Sequence, residues 1–219
     1  EFAKVFKKRY NVKVDAVYVK DILKYDVFPV TVEGIGINLG TNFAYKEFRN
    51  IENKTFEKIK GRLEEEFSKV YTKEGESAEV ALEELKKYDL MVTVKNEKIS
   101  PYMKELLRSI YKPLIVLPNR KDFKIENLLL LDDGAYNANK TLFTFFYMFD
   151  EQKVNVLRVN VEADESNEKL SERFGDNYNL ILKEGDTFKT IMEESKNYDL
   201  VLMGDLRYTV MVERITGKL

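Results

Sequence analysis

Tyr198-Asp-Leu-Val-Leu-Met-Gly204 is the stretch from which the fold is read. Leu200 to Met203 is an apolar strand that ends in a glycine, and a second glycine, Gly217, follows thirteen residues later. The same lead-in stands earlier as Tyr88-Asp-Leu-Met-Val-Thr-Val94, with no glycine after it. These two stretches belong to a longer repeat. Sliding the chain by 110 residues lays 73–90 over 183–200, and nine of those 18 positions are identical. Apolar positions correspond as well: Ala78, Ala81 and Leu82 face Phe188, Ile191 and Met192. Both copies open on Lys-Glu-Gly, at Gly75 and Gly185, where a strand turning into a helix often needs positive φ. A repeat of this length is a tandem domain, not a solenoid.

Working outward, strands alternate with helices along the whole chain. Phe2, Val5 and Phe6 share one face of an opening helix. Val12 to Val19 reads as a buried strand ending at Asp21. Phe56, Ile59, Leu63, Phe67 and Val70 recur at steps of 3, 4, 4 and 3, an amphipathic helix. Strands are predicted at Leu90–Val94 and at Leu114–Leu117, closed by Pro118, with a helix from Pro101 between them. Polar Asn119 to Lys124 is the predicted domain boundary. The second half begins with the strand 127–131, a turn at Asp132-Asp133-Gly134 and a helix crowded with aromatic residues over 142–149. The strand 154–161, an acidic loop holding Glu162, Asp164, Glu165 and Glu168, and Lys183-Glu-Gly185 lead into the final helix and strand. The aromatic helix is expected to be buried between its sheet and a partner domain. The pattern predicts an α/β fold of two doubly wound, mostly parallel sheets, over residues 1–118 and 125–219.

The repeat also predicts absences. The strand ending at Asp164 matches the one ending at Asp21 at an offset near 142, which puts the first-half partner of 128–131 ahead of residue 1. The first half spends 24 residues after Val94 on a helix and strand, whereas 15 follow Gly204. The first domain is therefore expected to lack its first strand and the second its last helix and strand. The native polypeptide is then longer at both ends, or other segments fill those sheet positions.

Composition narrows the chemistry. With 36 basic against 38 acidic residues and a net charge of -2, there is no electrostatic case for nucleic acid or an anionic membrane surface. The chain has no cysteine and no histidine. That removes thiolate chemistry, the commonest general base and the commonest zinc ligand together. Any metal would be held by oxygen, for example magnesium arriving with a nucleotide. No run approaches the length of a membrane span and residues 1–20 lack a signal-peptide layout, so a cytoplasmic home is expected. High Lys and Glu with a single Gln, Gln152, lean towards a thermophile.

With the repeat and the strand-to-Gly204 turn in hand, the chain resembles the universal stress protein family in tandem form. Asp133-Gly134-Ala135 stands where that family has Asp-Gly-Ser at a strand end. ATP-binding members carry glycine, two residues, glycine, nine residues, then glycine and a hydroxyl residue. Here the same spacing holds Gly204, Arg207, Gly217 and Lys218. The resemblance implies Rossmann-like domains akin to adenine-nucleotide α-hydrolases, with sheet order 3-2-1-4-5 and sites at the carboxyl ends of the strands. It further implies that Asp133 faces a ribose, that the strand end near Val159 faces the adenine, and that the duplicated halves pack as a pseudo-dimer, with a homodimer as a further expectation. Glycines at such positions let backbone N–H groups approach phosphate without a Cβ in the way. Arg207 adds bulk there but its guanidinium can itself grip a phosphate. In the first half Val94-Lys-Asn-Glu-Lys-Ile-Ser100 carries no glycine, so no site is expected.

Other motifs weigh less. Gly34-x-Gly36-x-x-x-Gly40 has Leu39 in the slot a dinucleotide fingerprint gives to glycine, and it follows the second strand. Thr216-Gly217-Lys218-Leu219 lacks both the upstream glycine and the magnesium-binding hydroxyl of a phosphate loop. Asp132 and Asp133 point apart as neighbours at a strand end, which favours turn or capping roles over a catalytic pair. No nucleophile–base pair is visible. The expected function is a stress-type regulatory protein binding ATP or another adenine nucleotide in its second domain. The alternatives are a scaffold or cytosolic transporter module without nucleotide, and a weak ATP hydrolase.

Overall fold

The structure is a computed structural model describing residues 2–21, 39–95, 99–118, 123–149 and 152–204. The chain divides into two compact units, one of Phe2–Thr93 with Ser100–Ile115, the other of Val94–Ile99 with Val116–Leu219. Strands and helices alternate as the periodicities require. In chain order they are α1 (Phe2–Tyr10), β1 (Ala16–Asp21), α2 (Leu39–Glu66), β2 (Val70–Gly75), α3 (Ser77–Leu85), β3 (Met91–Lys95), α4 (Pro101–Ser109), β4 (Leu114–Pro118), β5 (Leu128–Leu131), α5 (Tyr136–Met148), β6 (Val154–Val159), α6 (Glu165–Phe174), β7 (Tyr178–Lys183), α7 (Thr187–Glu194) and β8 (Leu200–Met203).

The second unit holds a four-stranded sheet in the order β7-β6-β5-β8, parallel at each pairing. β5 is four leucines, and Leu128, Leu129 and Leu130 are at most 1% exposed, as a central strand covered on both faces demands. Leu129, Leu157, Val159 and Ile191 form a core cluster, with Leu131, Ile181 and Tyr198 against it. Asp199, the second residue of the opening motif, pins the two central strands. Its Oδ2 accepts the N–H groups of Glu126 and Asn127, both at 3.0 Å, while its own N–H donates to the Asn127 carbonyl at 2.9 Å.

Helix starts follow local chemistry. Ser100 caps α4, accepting the Met103 N–H at 3.2 Å, with Pro101 in the first turn. Asp186 caps α7 through the Lys189 N–H at 2.7 Å. Gly75 and Gly185 turn strand into helix at φ +153° and +126°, the positive φ expected of both.

Several readings need correction. Val70 opens β2 and does not close the preceding helix, because Ser68 N–H bonds back to Val14 and starts the β1–β2 ladder. β2, α6 and β7 carry no clear period in the sequence and were not anticipated. β1 has no buried residue, since β2 is its one ladder partner among the described residues. The aromatic helix α5 finds part of its cover within its own unit: the Phe146 ring stacks on Phe174 of α6 at 4.2 Å between centroids, and the Arg173 guanidinium lies over Phe143. It is also one-sided, with Leu142 and Phe145 buried and Tyr147 exposed. The boundary stretch 119–122 and the glycine-bearing stretch 34–38 lie outside the described residues.

Candidate crevice at the carboxyl ends of β5 and β8

In the second unit the chain runs from β5 outward to β6 and β7 on one side and returns to β8 on the other, so strand order reverses at β5. Ligands of open α/β sheets bind at the carboxyl ends of strands at such a reversal. The register Leu131↔Met203 brings Asp132 and Gly204 alongside each other just past those ends.

The turn between β5 and α5 is built by its own carboxylates. Asp132 Oδ1 accepts the Gly134 N–H at 2.8 Å and Asp133 Oδ1 accepts the Ala135 N–H at 3.0 Å, the turn roles expected of both. Gly134 sits at φ +79°. Asp133 is exposed, and its second oxygen takes no hydrogen bond among the described residues. Gly204 lies directly against the first turn of α5. A methyl group there would sit 2.5 Å from the Asn137 carbonyl carbon and 2.6 Å from the Ala138 nitrogen. The two halves of the sequence motif, some seventy residues apart, thus converge on one helix start.

Arg158 is the residue that sequence reasoning missed. Its side chain is 5% exposed, and it bridges the ends of β5 and β6. Nε donates to Asp132 Oδ2 at 2.8 Å; Nη1 donates to Asp164 Oδ2 at 3.1 Å and to the Glu162 carbonyl at 2.7 Å. Burial works against the guanidinium charge, but the bonds to Asp132 and Asp164 outweigh it, and its pKa stands above the ordinary value. The Arg158 bond, with help from the Asn167 and Ser166 N–H groups, holds the Asp164 carboxyl below the usual carboxylate range. Asp164 is therefore more than part of a solvated loop: it caps α6 in a capping box with Asn167 and anchors the β6–α6 turn. An arginine inside an apolar strand, one residue before the strand end, was the available signal.

Of the other predicted residues, Val159 is 8% exposed, its side chain committed to the core cluster. Asn160, next along at φ +58°, ties the β6 end to the β7–α7 turn through Gly185 and Thr187. Arg207, Gly217 and Lys218 lie outside the described residues. Among the described residues no group of three or more acidic side chains could hold a metal ion, and no helix is long and apolar enough to cross a membrane.

Sheet order, register and crevice define an α/β protein with doubly wound parallel strands. No protein-family profile and no curated protein matches the sequence. Among solved structures the fold is similar to that of a universal stress protein from Archaeoglobus fulgidus DSM 4304, with a TM-score of 0.63 over 94% of this chain and 81% of that one. Identity between the two is 12%, so what the likeness shows is the fold.

Proposed function

We propose that the chain is a regulatory protein of the universal-stress type, duplicated in tandem, whose second half takes an adenine nucleotide at the crevice between β5 and β8. The observation that carries this reading is the convergence of Asp133-Gly134 and Gly204 on the first turn of α5, at the point where strand order reverses. The exposed Asp133 oxygen suits a ribose hydroxyl, the α5 start suits phosphate, and Arg207 and Lys218 supply positive charge from the segment that follows. With Asp132 already matched by Arg158, the local carboxylates are partly neutralised. Any magnesium comes with the nucleotide.

Calorimetric titration with ATP, ADP, AMP and cyclic nucleotides tests the proposal. Saturable heat at one adenine nucleotide per chain is expected, weakened about tenfold by Arg207→Ala. No heat at high protein concentration would contradict it and leave the scaffold reading.

A further inference from the structure

The chain builds the same strand pair twice, and the pattern does not require an arginine where Arg158 stands. The ladders pair Tyr18 with Thr72 and Arg158 with Leu182. Thr72 and Leu182 stand 110 residues apart, the spacing of the repeat. Arg158 of β6 therefore has Tyr18 of β1 as its counterpart, and the Tyr18 hydroxyl donates instead to a helix residue, Glu52 of α2, at 2.6 Å. The other buried residues of β6 are Val154, Val156, Leu157 and Val159. A further apolar side chain would serve the strand as well, since a buried ion pair gains little net stability over apolar groups of its own volume. The arginine thus points to a task particular to the second unit, the half in which Gly204 follows the Tyr-Asp-Leu strand.

Its bonds lead to the crevice. Asp132 divides its carboxylate between two partners: Oδ2 receives Arg158 Nε and Oδ1 receives the Gly134 N–H, both at 2.8 Å. The Asp132 N–H donates to the Leu157 carbonyl at 3.0 Å, so main chain and side chain both tie the residue to β6. On its other side the guanidinium is braced by Asp164 and the Glu162 carbonyl. The Asp132 side chain is 11% exposed. Without the arginine, its charge would be drawn towards water and its bond to Gly134 would go with it. Gly134 sits at φ +79°, and Asp133 is held between these two fixed residues. Its Oδ1 accepts the Ala135 N–H at 3.0 Å, which leaves the second oxygen open at the crevice.

We propose that Arg158 is a positioning residue for the nucleotide crevice: by holding one oxygen of Asp132 it leaves the other for the Gly134 N–H, and so fixes the β5–α5 turn that presents Asp133 and the start of α5. Groups that meet a ligand are only as well placed as the residues that lock them. A nucleotide then meets a turn already ordered, and the cost of ordering it on binding does not arise. The arginine touches no ligand itself; it acts through Asp132. This role rests on the nucleotide reading of the same crevice.

The test uses the 219-residue chain, with amide hydrogen exchange measured without ligand and ATP affinity measured by calorimetry. Arg158→Met removes the donor to Asp132. Asp132→Asn, nearly isosteric, is the variant that keeps the fold: it has one acceptor oxygen where aspartate has two, so it can hold Arg158 or Gly134 but not both. In each variant the Gly134 amide is expected to exchange about tenfold faster, while the Ala135 amide, bonded to Asp133, is unchanged. ATP is expected to bind about tenfold more weakly to both. Asp164→Asn, which leaves the Arg158–Asp132 bond in place and still caps α6, is expected to keep both values. Unchanged exchange at Gly134 overturns the proposal. Equal acceleration at Gly134 and Ala135 also overturns it, by making the arginine a general support of the fold, as does faster Gly134 exchange with ATP affinity retained. If the unsubstituted chain binds no ATP, the nucleotide reading itself fails and the positioning role with it. That outcome is told apart by the Gly134–Ala135 contrast, which needs no ligand.

Discussion

A methyl group at Gly204 would collide with the main chain of Asn137 and Ala138, so the glycine is required for β8 and α5 to pack before any phosphate is considered. Gly204→Ala is expected to lower stability by about 2 kcal/mol in urea unfolding without nucleotide, the scale of an overpacked core; an unchanged midpoint would contradict the close approach. For that reason Gly204 variants are poor probes of binding, and Arg207 is the better one. Arg158 and Asp164 give a second prediction at this scale. Arg158→Ala strands the nearly buried Asp132 carboxylate and is expected to cost about 3 kcal/mol. Asp164 has a folded pKa below its unfolded value. Its contribution is thus present above the unfolded carboxylate pKa of about 3.9 and is lost as pH falls through the lower folded value. In acid unfolding, the stability difference between the chain and Asp164→Asn should shrink below about pH 4; a pH-independent difference would contradict the ion pair. Residue chemistry was legible where it is local: turn carboxylates and glycines announced themselves. The Asp132–Arg158–Asp164 bridge did not, because it joins two strand ends that only the sheet brings together.

At the scale of elements, apolar runs and helical periods located β3 to β6, β8 and α4 within a residue or two. They failed at β2, β7 and α6 for identifiable reasons. β2 and β7 are flanking strands of their sheets, with mixed polar and apolar residues and no full burial to enforce a pattern. α6 is polar nearly all round and is set by its capping box and by Phe174, which reaches α5. Part of the aromatic run of α5 is accounted for within its own unit, where Phe143 and Phe146 meet Phe174 of α6. β1 read as buried because its residues suit a central strand; its exposure reflects what stands beside it, which no propensity carries.

For the whole molecule, the sequence carried the α/β class, parallel pairing and a doubly wound arrangement, and the fold agrees with that of a universal stress protein at 12% identity. Legibility at that level came from the alternation of strands and helices and from the 110-residue repeat, not from conserved chemistry. The binding claim is of a different kind, since half of its motif lies beyond Gly204 and its ligand is inferred from where the strand ends meet. Amide chemical shifts on titration with ATP test it most directly. The account predicts saturable shifts at Gly134, Ala135 and Gly204, with the β1–β2 pair of the first unit unmoved. Shifts absent from the β5–α5 turn at saturating ATP would contradict it.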